Sequence, residues 1–189
     1  MAGAGEFADL AAMTAPRVMK IVSGGQTGVD RAALDVAIER GMEWGGWCPS
    51  GGWAEDFPDP PGVLAHYPHL KETPLSNPVQ RTEWNVRDSD ASLIITDSTG
   101  EGVSIGTRRA HESAYHYGKP VLVVDATDPQ APARTAAWLG AQRKRFGASM
   151  TLSIGGPRES EAPGIYARAK PLIAAILDRA DATGHSDRN

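Results

Sequence analysis

The sequence predicts a doubly wound α/β domain, with a mainly parallel, five-stranded sheet and helices on both faces. Three observations predict it. Short apolar runs alternate with segments of helical period, the pattern of parallel strands joined by crossover helices. Glycine-rich turns follow the apolar runs, where strands of such a sheet hand the chain to helix N-termini. A chain of 189 residues with no internal shift in composition suits one domain with a sizeable core.

Residues 1–16, rich in Ala and Gly and closed by Pro16, read as a flexible extension, 17–182 as the single domain, and 183–189 as a flexible tail. The first strand, 18–22, runs into Ser23-Gly24-Gly25-Gln26-Thr27-Gly28, and a helix over 29–40 follows. On that helix Arg31, Asp35 and Glu39 recur at i, i+4, i+8 as a solvent stripe, with Val29, Ala33, Val36 and Ala37 opposite. Thr27 is the expected N-cap, with Asp30 at the carboxylate position of a capping box.

A second strand at 44–47 leads into 48–77, which holds Pro49, Pro58, Pro60, Pro61, Pro68 and Pro74 and has no clean period. So long a connection reads as a wall or lid of the site. A helix over 79–88, a strand at 91–96, a helix over 105–117, a strand at 121–125, a helix over 131–145 and a strand at 150–154 complete the alternation. The last helix, 163–181, keeps Ile165, Ala169, Leu172, Ile173, Ile176 and Leu177 on one face, and Pro171 is expected to kink or divide it.

With 19 basic and 23 acidic residues, the summed charge gives no support to nucleic-acid or membrane-surface binding. The single Cys48 excludes an internal disulfide, and no apolar run is long enough to span a bilayer, so a cytoplasmic protein is expected. His66 with His69, and His111 with His116, lack the companions of a zinc site, and no metal ligand set is assigned.

In an open parallel sheet, ligands bind outside the carboxyl ends of the strands. Every glycine-rich turn here falls at such an end: Gly24, Gly25, Gln26, Thr27 and Gly28 after the first strand, Gly100 to Thr107 after the third, and Gly156, Pro157, Arg158, Glu159 and Ser160 after the last. Backbone N–H groups at these turns could hold an anion, with Arg158 as a charged clamp. The first turn lacks the lysine of a P-loop and the spacing of a dinucleotide fingerprint. Arg81 and Asn85, at i, i+4 with Thr82 between them, could reach a phosphate or carboxylate, or Arg81 could instead pair with Glu83 or Asp88.

The stretches Lys20 to Ala37, Gly45 to Gly51, Ala54 to Asp56, Arg81 to Asp90, Gly118 to Val123 and Gly155 to Tyr166 together resemble, in order, the putative molybdenum carrier family. The resemblance implies a Rossmann-like fold, related to that of the lysine-decarboxylase-like phosphoribohydrolases. It implies a carrier for molybdenum cofactor that holds a phosphorylated pterin or nucleotide-like ligand at glycine-rich turns, commonly as a homo-oligomer, a dimer or tetramer. The matching site positions are Gly24 to Gly28, Arg81, Thr82, Asn85 and Gly156 to Ser160, and Gly106 and Thr107 stand where the family has a Gly-Gly-Thr turn. This chain has Gly52 where the family usually carries an arginine, and Pro78 at a frequent tyrosine position. Two other functions remain open: a nucleoside 5'-monophosphate phosphoribohydrolase using Glu55 or Glu112, and a nucleotide-sensing module. The spacing from Thr107 to Glu112 is two residues longer than the hydrolase pattern requires.

Overall fold

The computed structural model describes residues 19–186, with side chains to 182 except those of 101 and 103. The extension expected over 1–16 and the end of the expected tail, 187–189, lie outside them. The elements follow in the order β1 (Lys20–Val22), α1 (Val29–Glu39), β2 (Trp44–Cys48), β3 (Leu70–Glu72), α2 (Pro78–Arg87), β4 (Ala91–Thr96), α3 (Ile105–His116), β5 (Val121–Asp125), α4 (Ala131–Phe146), β6 (Thr151–Gly155) and α5 (Ile165–Ser186). All ladders are parallel, in the order β3-β2-β1-β6-β4-β5.

The sheet thus has six strands rather than five. The added strand is β3, which pairs Gly46 with Leu70 and Cys48 with Glu72. Leu70 alone of its three residues is buried, so neither an apolar run nor an alternation marks it. The long connection is not a loose lid. Val63, Tyr67 and Leu70 close over Cys48, Ala54 and Leu34 in a small core of their own beside α1.

Strand alternation decides the two faces. Ile21, Leu93, Ile95, Leu152 and Ile154 point toward α1, α4 and α5 and form the main core with Val29, Ala33, Val36, Ile165, Ile173 and Ile176. The intervening positions, among them Ser92, Ile94 and Ser153, face α2 and α3. Asn77 caps α2 by accepting from the Val79 N–H at 2.9 Å, and Ser104 caps α3 by accepting from the Thr107 N–H at 3.2 Å. α5 continues as one helix through Pro171, so the proline does not divide it. Among the described residues no helix is long and apolar enough to cross a membrane.

Candidate functional site

The connections from β1 and β4 leave in opposite directions along the sheet, with β6 between them, so the crevice rule places a ligand over the carboxyl ends of these three strands. The predicted residues divide there into two groups.

The first group is knitted shut by one carboxylate. Glu55 accepts from the Thr27 hydroxyl, the Ser160 N–H at 3.2 Å and the Ser160 hydroxyl at 2.5 Å. Gln26 Oε1 accepts the N–H groups of Thr27 and Glu55 at 3.0 and 2.9 Å, and Thr27 Oγ1 accepts from the Glu159 N–H at 3.2 Å. Thr27 therefore does not cap α1. The N-cap is Gly28, without a side-chain bond, and the Val29 N–H donates to Pro157 O at 3.3 Å. The Glu159 carboxylate serves the N-terminus of α5, accepting from the Gly164 and Tyr166 N–H groups. Arg158 pairs with Glu161 at 3.4 Å and lies over the Trp53 ring. At Gly52, φ is +66° and a Cβ would stand 2.2 Å from Pro61 O, so this backbone has no room for the arginine of the family pattern.

Burial works to raise the Glu55 pKa, but hydrogen bonds from Ser160 and Thr27, with the Arg158 charge nearby, outweigh it and hold the carboxyl below its ordinary value. A group with a depressed folded-state pKa contributes stability above its unfolded value, about 4.3, and loses it as pH falls through the folded one. Acidification below the ordinary carboxylate range is expected to release this seam. Limited proteolysis across pH should show cleavage within 55–66 appearing before global unfolding, and appearing already at neutral pH in Glu55→Ala.

The second group surrounds the crevice. Arg81 pairs with Asp30 at 2.8 Å, not with Glu83 or Asp88, and the two side chains are 15 % and 5 % exposed. Burial pushes the Asp30 carboxyl up, while Arg81 and the N–H groups of Gln26 and Gly24 pull it back. Asn85 is committed to β2, accepting from the Trp47 N–H at 2.8 Å and donating to Trp47 O at 3.0 Å, and the Thr82 hydroxyl donates to Pro78 O. A narrow slot of about 30 Å3 runs between the sheet and α2 and α3, lined by Ser23, Asp30, Arg81, Asn85, Ser92 and Ser153 among others. In the turn after β4 Gly100 and Gly102 face open space, and the buried Thr107 hydroxyl at the start of α3 has no hydrogen-bond partner. Glu112 lies exposed along α3, paired with Arg109 at 3.3 Å.

The sequence reading missed a third place. A cleft of about 400 Å3 lies along α1 against the 55–67 segment and the start of α5. Its floor is the expected solvent stripe. Arg31 is only 13 % exposed, grips Asp56 through two nitrogens at 3.0 Å, and sits between the Phe57 and Tyr67 rings. Asp35 accepts from the hydroxyls of Tyr67 at 2.6 Å and Tyr166 at 2.8 Å. The i, i+4 spacing of Arg31 and Asp35 was the available signal, but no local pattern announces that distant tyrosines cover it.

Comparison with known proteins agrees with the fold. The model of the circularly permutated YpsA SLOG family matches residues 21–177. A crystal structure from Syntrophus aciditrophicus, described as a putative molybdenum carrier protein, is similar with a TM-score of 0.73 and 36% identity, covering 86% of this chain and 96% of that one. No curated protein matches.

Proposed function

We propose that this chain, which belongs to the circularly permutated YpsA SLOG family, is a non-catalytic carrier that holds a small phosphorylated ligand in the crevice over β1, β6 and β4. Molybdenum cofactor is the first choice of cargo, and a nucleotide-like ligand the broader class. The observation that carries the reading is the polar lining of the slot, where Arg81 has one donor spent on Asp30 and stands beside Ser23, Asn85, Ser92 and Ser153. Gly106 and Thr107 stand in the first turn of α3, whose N–H groups have no partners within the helix apart from the cap that Ser104 supplies.

The residues present suit the organic part and phosphate of such a cargo. Among the described residues no group of three His, Cys, Asp or Glu could hold a metal, so contacts to the pterin and phosphate would do the holding. The donors of Thr27 and Ser160 are engaged by Glu55, which moves the expected phosphate seat from the first turn toward α3. The same engagement weakens the hydrolase alternative: Glu55 is locked in three hydrogen bonds, and Glu112 pairs with Arg109.

Equilibrium binding of molybdenum cofactor and, separately, of adenosine 5'-monophosphate to the full chain tests the reading. Saturable binding without product is expected. Release of free adenine with turnover, lost in Glu55→Gln or Glu112→Gln, would replace the carrier with the hydrolase.

A further inference from the structure

We propose that the cleft beside α1 is a second binding site, separate from the crevice, and that it takes an organic cation with an ammonium or guanidinium head. The argument is one of donors and acceptors. The Tyr67 and Tyr166 hydroxyl protons are both spent on Asp35. Arg31 donates through Nε and Nη2 to Gly25 O and through Nη1 and Nη2 to Asp56, and the Thr27 hydroxyl donates to Glu55. What remains toward the cleft is mostly acceptors. Each Asp35 oxygen keeps a lone-pair position beyond the one its tyrosine uses, and the Tyr67 oxygen, having donated, can still accept, while that of Tyr166 takes a bond from Lys170. A ligand that fits this cleft must bring the protons.

Charge points the same way. Asp35, Asp56 and Glu159 line the cleft against Arg31, and the charge of Lys170 beside Tyr166 is matched by Glu39, leaving two negative charges in excess. Arg31 cannot serve as an anion receptor while its fork is closed on Asp56 and Gly25 O. An inorganic ion does not fit, because these carboxylates are not gathered into a metal-binding group. The volume of about 400 Å3 lies in the range of small-molecule sites and asks for a carbon skeleton behind the charged head. The acceptor set is also prearranged. Two tyrosines from segments far apart in sequence hold the Asp35 carboxylate in one orientation, so little ordering remains for the ligand to impose. Burial and the neighbouring Asp35 push both tyrosine pKa values up, so their hydroxyls remain donors to Asp35 at neutral pH.

Calorimetric titration of the full chain with agmatine, with spermidine as a second cation and glutarate as an anion, tests the site. Agmatine should bind saturably at one site, more weakly as salt is raised, and glutarate should not compete. Asp35→Asn removes the charge and turns one acceptor into a donor, and should lower agmatine affinity at least about tenfold. Ala167 lines the cleft from an exposed position on α5, so Ala167→Phe should fill the space with thermal stability kept and also lower affinity at least about tenfold. If Asp35→Asn fails to fold, Ala167→Phe decides. Absence of cation binding to the unaltered chain, displacement of agmatine by glutarate, or unchanged affinity in a folded variant would overturn the proposal. Because the probes carry no phosphate, a failure here leaves the carrier reading standing, and the converse holds as well.

Discussion

Arg81→Ala is expected to cost about 3–5 kcal/mol of folding stability, because it strands the Asp30 carboxylate, 5 % exposed, beneath the first turn without its partner. Urea denaturation at pH 7 should show the full loss. The sign of its pH dependence follows from the direction of the shift. Burial already raises Asp30, and without Arg81 the folded-state pKa rises further above the unfolded value of about 3.9. A carboxyl raised in the folded state gives stability that is present below the unfolded pKa and lost as pH climbs through the folded one. The deficit of Arg81→Ala relative to the unaltered chain should therefore shrink near pH 4 and grow toward neutrality. A deficit independent of pH would show that Asp30 is not the group left unpaired.

Gly25→Val is expected to destabilise the chain by about 2–5 kcal/mol, the sum of left-handed backbone strain and overpacking. A valine in a turn that meets only a ligand would block binding and spare the fold, but this turn meets the protein itself. Gly25 has φ +72°, and an added Cβ would lie 2.7 Å from Leu70 Cδ1 and 3.0 Å from Val63 Cγ2, both in the small core beside α1. Its glycine is required by the protein's own packing. Gly102 offers the contrast: with open space around it, Gly102→Ala should change stability by less than about 0.5 kcal/mol. Thermal melts of the two variants side by side check the difference, and a stable Gly25→Val would return the first turn to the list of ligand contacts.

These two glycines show what the sequence could and could not reveal. Alternation of apolar runs with helical segments located five strands and the five α-helices of the described residues, because each strand carries a run of apolar residues and each helix an apolar face. β3 stayed hidden because only Leu70 of its residues is buried, where β1 buries both Ile21 and Val22, and its place is set by pairing with β2. At the rim, glycine enrichment correctly marked tight turns but not what each turn approaches. Gly25 and Gly156 lie against the chain itself, the latter 2.1 Å from Ile95 O by its would-be Cβ, while Gly100 and Gly102 do not. The same holds for charge. Arg81, Glu55 and Arg31 were visible as residues, yet their partners Asp30, Ser160 and Asp56 are brought in by the fold from distant segments.

β3 has a consequence for how the chain behaves in company. The end strand of an open sheet is a template on which another polypeptide can lay itself, and long apolar ends invite runaway stacking. At this end the template is three residues long, with Lys71 and Glu72 exposed, and Glu72 is bent inward to accept from the Gly51 N–H at 2.6 Å. The strand that periodicity could not find thus closes the sheet with a short, charged margin, and the weakness of its sequence signal has the same origin as its protection against unwanted pairing.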